Sequence, residues 1–218
     1  MVKQERAART RETLMQAAAE AFDRDGYRTT TLSRVSKAAG ISIGALTFHF
    51  PAKDDLADAV QVRGGSITRD VVGRVTADPE RPLHSVVDLT LELARLLEKE
   101  ALVRAAARLS RERQIGSADW PSTWLPTVER LLRTATEREL RPGIDPAAVR
   151  ALVVHLLTGA EAQLRCTRAA RKERESVESQ LTAIWHVVLR GIAADGTYPA
   201  DDIGHGRPQD DPAGRQGL

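Results

Sequence analysis

Apolar residues return at helical spacing along most of the chain. Leu14, Ala17, Ala18, Ala21 and Phe22 fall on one face of a first helix, and Leu32, Val35 and Ala39 on one face of a short second helix. A third short helix, from Ile43 to about Phe48, is anchored inward by Leu46 and Phe50. The spacing predicts further helices over 56–75, 83–100, 102–113, 124–140, 146–168 and 176–192. Long alternating Val/Ile/Thr runs, the mark of half-buried strands, are missing, so the pattern predicts an all-α chain.

The polar positions punctuate this pattern. Thr30 or Thr31 stands where a side-chain oxygen caps the second helix, and Gly40 stops that helix by entering the left-handed conformation at little steric cost. Ile41 buries one side chain in the turn, and Ser42 caps the third helix. Asp78-Pro79 and Arg81-Pro82 mark a loop, Gly116 to Pro121 marks another, and Asp145-Pro146 caps and starts a helix. Arg165 to Arg174 reads as a charged, solvated connection. Gly64-Gly65 weakens the fourth helix, either as a hinge or as a bend where helices cross.

Two short helices joined by a tight turn at Gly40 form a helix-turn-helix, a unit that places its second helix in the major groove of duplex DNA. With Leu46 and Phe50 inward, Ser42, Ile43, Gly44, Thr47 and His49 remain for the groove face. Ser42 and Thr47 offer hydroxyls, and Ile43 offers a methyl contact to thymine. Thr31, Lys53 and His49 are candidate backbone contacts. Each has a plainer alternative: Thr31 and Ser42 as caps, Lys53 as a solvated charge, His49 as a hydrogen-bonded core residue.

Residues 6–60 resemble the N-terminal domain of the tetracycline-repressor (TetR) family. The resemblance is carried by Gly26-Tyr27, Ala39-Gly40-Ile41-Ser42, Gly44-Ala45-Leu46, Phe48-His49-Phe50, and Lys53 with Leu56. The Gly-Ala-Leu-x-Phe-His-Phe wording is similar to the γ-butyrolactone receptors of actinomycetes and their pseudo-receptor relatives. Those receptors have Lys where this chain has Ile43 and Tyr where it has Thr47. The departure implies an altered operator preference or weaker phosphate anchoring, and points to the pseudo-receptor branch. The resemblance implies a homodimer paired through its last two helices, a near-palindromic double-stranded DNA operator, and release by a small hydrophobic effector. That effector is a γ-butyrolactone or an antibiotic-like molecule, and the genes controlled belong to secondary metabolism. It also implies that Trp124 covers the effector, with a core role as the alternative. Thr158 and Gln163, with His155 and Glu161, are the polar residues on an otherwise apolar helix that could orient it. Trp120, beside Pro121, reads as a loop residue.

Charge adds a local signal. The whole chain carries a net charge of +2, too mild to imply a nucleic-acid partner. Residues 1–53 hold nine basic and five acidic side chains, a net of +4 on the helix-turn-helix unit. Cys166 is the single cysteine, which excludes an intrachain disulfide and a Cys₄ or Cys₂His₂ zinc site and suits a reducing cytoplasm. The five His lack metal-ligand spacing; no cofactor motif and no nucleophile or P-loop motif occurs, so neither a cofactor nor an enzyme is expected. No signal peptide or membrane-length apolar run opens the chain. The expected organisation is a DNA-binding domain over 1–55, a helical ligand-binding and dimerisation domain over 56–194, and a disordered tail over 195–218. A helical protein-interaction adaptor is the alternative, and it leaves the helix-turn-helix unexplained.

Overall fold

The computed structural model describes residues 2–75, 81–113, 119–170 and 176–194. The expectations for Asp78-Pro79, for 116–118 of the 116–121 loop, for 171–174 and for the 195–218 tail lie outside the described residues.

Nine α-helices occur among the described residues, joined by turns and one 3₁₀ turn, with a lone antiparallel bridge between Leu140 and Ala193. In chain order they are α1 (Val2–Asp25), α2 (Leu32–Ala39), α3 (Ile43–His49), α4 (Lys53–Val75), α5 (Pro82–Lys99), α6 (Ala101–Glu112), α7 (Leu125–Thr136), α8 (Pro146–Ala170) and α9 (Val177–Ile192). The chain is all-α, as the periodicity predicts. Several boundaries differ from the pattern, most by a residue or a few. The helix after Trp124 ends at Thr136, not Leu140, because the next residues turn back to meet the end of α9. The third helix gains one residue and ends at His49. The region read as a connection from Arg165 is helical to Ala170, since charged residues at 165 and 168 continue α8 without a breaker.

Two apolar clusters organise the molecule. The N-terminal cluster gathers Leu14, Ala18 and Phe22 of α1, Val35 of α2, Leu46 of α3 and Leu56, Ala57 and Val60 of α4. It also takes Leu102, Ala105 and Leu109 from α6, so the helix-turn-helix unit is completed by a helix of the body. The larger cluster surrounds α5, which is buried on nearly every side and packs on α7, α8 and α9. The expected boundary after residue 55 falls inside α4, whose first turns belong to the N-terminal cluster and whose later turns reach the body.

Gly64 shows how α4 and α6 meet. A Cβ added there would overlap the Leu102 carbonyl and stand 2.7 Å from the Ala106 Cβ. The glycine lets two helices cross at close range, and α4 runs through it unbroken. Of the two readings of Gly64-Gly65, the crossing is the one seen.

Candidate nucleic-acid interface and effector site

The turn between α2 and α3 is built by local hydrogen bonds. Thr31 Oγ1 accepts from the Arg34 N–H at 3.3 Å and is the N-cap of α2. Thr30 is buried instead, and its hydroxyl donates to the Gly26 carbonyl at 2.7 Å. Gly40 takes φ 65°, the left-handed conformation the stop requires. Ser36 Oγ donates to the Ile41 carbonyl, and Ser42 Oγ accepts from the Ala45 N–H at 3.3 Å as the cap of α3.

Leu46 and Phe50 are buried and hold α3 against α1, where the Arg11 guanidinium lies 5.0 Å from the Phe50 ring centroid. This fixes which face of α3 is free. Ser42, Gly44 and Thr47 are exposed, and Ile43 is 48% exposed. Thr47 Oγ1 shares its one O–H between the Ile43 and Gly44 carbonyls at 3.1 and 3.2 Å, so within the protein it is used as a donor only. A Cβ at Gly44 would meet no protein atom within 4 Å, so packing does not demand a glycine there. Its helical cost of roughly 1 kcal/mol against Ala goes uncompensated inside the protein.

Phe48 is 82% exposed, and sequence reasoning missed it as a site residue. The signal was available: positions 44 and 48 are four apart and share a face of α3. An aromatic ring beside a bare glycine on the outward face is an unusual use of apolar surface. His49 is half-buried between two rings, 5.4 Å from Phe48 and 6.5 Å from Phe50 by centroid.

Lys53 is turned toward the protein. Its Nζ donates to the Tyr27 and Thr30 carbonyls at 3.0 and 3.2 Å and lies 4.2 Å from the Tyr27 ring centroid. Two of its three donors are thus used within the protein. Tyr27, named in the sequence only as part of the resemblance, joins the unit to the body. Its hydroxyl donates to Asp54 Oδ1 at 2.7 Å, and its N–H donates to Glu112 Oε2 at 2.6 Å. Arg113, at the end of α6, donates to Asp54, Asp58 and Gln61 of α4 at 2.9, 2.8 and 2.7 Å. Burial, with the bond to Asp54, raises the Tyr27 phenol above its ordinary pKa, while that bond and Arg113 lower the Asp54 carboxyl. Deeper in, Arg104 of α6 donates to Asp23 of α1 at 2.6 Å, and both are buried.

In the body, Trp124 is fully buried, and its Nε1–H finds no acceptor among the described residues. Trp120 is also buried, which the loop reading did not anticipate; it stands edge-on to Trp124 with centroids 5.6 Å apart. The other two candidate effector residues are not gathered around this pair. Thr158 is exposed on α8, with its hydroxyl donating to the Val154 carbonyl at 2.8 Å. Gln163 Nε2 donates to Gln180 Oε1 of α9 at 2.9 Å. On the outer side of this pair of helices, His155, Thr158, Gly159 and Cys166 of α8 are exposed, as are Ile184 and Val187 of α9, the latter at 73%. Among the described residues there is no His/Cys/Asp/Glu group fit for a metal ion, and no helix long and apolar enough to cross a membrane.

Comparison with known proteins agrees with this geometry. The model of bacterial regulatory proteins of the tetR family matches residues 14–60. The chain is 30% identical over 213 residues to the A-factor receptor protein of Streptomyces griseus, spanning 96% of this chain and 71% of that protein. Its fold is similar to that of a γ-butyrolactone receptor described as ArpA-like, with TM-score 0.72 and 28% identity over 88% of this chain and 92% of that one. It is also similar to CprB of Streptomyces coelicolor in complex with its biological operator sequence, with TM-score 0.69 and 29% identity over 87% and 91% of the two chains. The chain therefore belongs to the tetR family of bacterial regulatory proteins, DNA-binding regulators rather than enzymes, and within it resembles the γ-butyrolactone receptors.

Proposed function

We propose that the protein is a cytoplasmic, ligand-responsive repressor that binds a near-palindromic operator as a homodimer and is released by a small hydrophobic effector. The observation that carries this reading is the outward face of α3. Ile43, Gly44, Thr47 and Phe48 are exposed on a short helix locked from behind by Leu46 and Phe50. Direct base contacts fall to Ile43, Gly44 and Thr47, and Phe48 packs beside them. Ser42 and Thr31 present helix N-termini to phosphate, where backbone N–H groups and the helix dipole favour an anion. His49 and the one remaining Lys53 donor are phosphate contacts beside this face. In this division of labour, residues 1–55 read DNA and 56–194 sense the effector and dimerise.

One copy of α3 reads few base pairs, and two half-sites about one turn of DNA apart, roughly 34–36 Å, supply the missing specificity. The exposed apolar residues Ile184 and Val187, with the small and polar stripe of α8, give a face on which a second copy fits. The effector is a γ-butyrolactone or an antibiotic-like molecule with an acceptor oxygen for the Trp124 indole N–H, which has no acceptor among the described residues. Likeness to γ-butyrolactone receptors supports that class, and with it goes a role in secondary metabolism. Thr158 and Gln163 contribute only where the effector reaches α8.

Selection of genomic fragments by the purified protein, followed by footprinting, tests the reading. Two protected half-sites related by a dyad, lost on adding an acyl-γ-butyrolactone, are expected. A folded protein that enriches no sequence, or whose DNA binding is indifferent to salt, would turn the reading toward a protein-interaction adaptor.

A further inference from the structure

Thr68 is fully buried in the middle of α4, where an apolar side chain would fill the same space with no polar atom to satisfy. Its hydroxyl is used twice. Oγ1 donates to the Gly64 carbonyl at 2.9 Å and accepts from Trp120 Nε1 at 3.0 Å. Trp120 is held on a second side by its own N–H, which donates to Ser110 Oγ of α6 at 2.8 Å. Its ring meets Trp124 edge-on, at an interplanar angle of 62°. The 3₁₀ turn that follows presses on the same stretch of α4, since a Cβ at Gly65 would come within 3.3 Å of Thr123 Cγ2.

The two indoles therefore differ. Trp120 is bonded to α4 and α6, whereas Trp124 has a buried donor without an acceptor among the described residues. From Thr68, roughly 22 Å of helix leads back to Lys53 at the entrance of the DNA-binding unit. A tilt of a few degrees at the Trp120 contact displaces that end by on the order of 1 Å, which changes how two recognition helices fit paired half-sites.

We propose that Trp120 is a positioning residue that passes the state of Trp124 to α4 through its indole hydrogen bond with Thr68. This rests on the reading that the effector meets Trp124. Coupling of this kind is reciprocal, so operator DNA must alter Trp120 as surely as a ligand alters operator affinity.

The chain has three tryptophans, so 5-fluorotryptophan labelling of the full-length protein gives three ¹⁹F resonances, assignable by single Trp→Phe variants. Operator DNA from the fragment selection is expected to shift the Trp120 resonance, to lose that effect in Thr68→Val and to keep it in Thr68→Ser. With an acyl-γ-butyrolactone as probe, Thr68→Val should still show the Trp124 shift, while the ratio of operator affinities without and with probe falls roughly fivefold, the scale of one buried hydrogen bond. A probe that moves no resonance and releases no DNA refutes the effector class, and the operator titration still decides the relay. A Trp120 resonance blind to operator, or a Thr68→Val protein that shifts as the wild type does, overturns the proposal.

Discussion

Gly64→Ala is the substitution whose outcome the α4–α6 crossing fixes most tightly. The new Cβ would overlap the Leu102 carbonyl oxygen and stand 2.7 Å from the Ala106 Cβ and 3.0 Å from the Leu102 carbonyl carbon. Carbon atoms in ordinary contact sit about 3.5–4.0 Å apart, so the helices must separate by roughly 1 Å. Forcing one extra carbon into a packed site costs about 1–3 kcal/mol. Against this stands a helix-propensity gain of about 0.8–1.0 kcal/mol for Ala over Gly. Because one clashing atom belongs to the backbone and cannot rotate away, the upper part of the range applies, and the net loss is about 1–2 kcal/mol. For a chain of this size that lowers the melting temperature by roughly 2–8 °C. Gly73→Ala is the control: it lies in the same helix, is exposed, and its Cβ meets nothing within 4 Å. It should raise the melting temperature, by up to about 4 °C. Thermal unfolding of both variants at one fixed protein concentration reads the contrast, since dimerisation would make the midpoint concentration-dependent. If Gly64→Ala stabilises as Gly73→Ala does, α4 is not pressed on α6, and the glycine pair is a flexible joint after all.

Other expectations follow from the same geometry. Phe48→Ala should weaken operator binding several-fold while shifting stability by less than about 0.5 kcal/mol, because the ring is mostly exposed; unchanged affinity in a mobility-shift titration would remove it from the interface. Thr47→Ala should change the ranking of operator variants, and an equal loss on every sequence would make the residue a phosphate-positioning contact. The Glu178 carboxyl of α9 is held below its ordinary value of 4.5 by its hydrogen bond to Arg95 of α5. A lowered folded pKa means this pair contributes above the ordinary carboxylate range and is lost as pH falls through the lowered value. Glu178→Gln should therefore flatten the acid limb of a stability–pH curve below about pH 4.5 and, since the pair is about one-third exposed, cost no more than about 1 kcal/mol at pH 7. A variant whose acid limb matches the wild type would show the bridge to be silent.

What the sequence makes legible is what local chemistry decides. Ser42 caps because a hydroxyl before an apolar run satisfies a first-turn N–H, and Gly40 stops α2 because only a left-handed residue closes that turn. Which of Thr30 and Thr31 caps α2 was not decidable from the pattern, since the buried one is chosen by a carbonyl at Gly26 across the turn. Lys53 follows the same rule: its direction is set by carbonyls more than twenty residues away. Trp120 sits in a segment rich in turn residues, and its burial depends on Thr68, which arrives from another helix. On α8 both faces carry apolar residues, so periodicity cannot say which one turns inward, and Thr158 falls on the outer one. Phe48 escaped for the opposite reason: an aromatic side chain is expected to be buried, and here it is not.

The ties between α6 and the N-terminal unit bear on how any signal reaches the DNA. Arg104 and Asp23 are paired out of solvent, with Arg104 also donating to the Leu97 carbonyl at 2.9 Å. Removing one member of such a pair costs about 3–5 kcal/mol, because the other is left charged and buried. Arg108 donates to the Asp23 carbonyl, and Glu112 and Arg113 grip Tyr27 and α4. With Leu102, Ala105 and Leu109 inside the N-terminal core, α6 is part of the reading head as much as of the sensor. The DNA-binding unit is thus not a module swinging on a loop. A change in the body reaches α3 by repacking α6 against α4 and α1, and packed surfaces switch between discrete arrangements rather than bending smoothly. Substitutions along that crossing should therefore move stability and operator affinity together, whereas those on the outer face of α3 should move affinity alone.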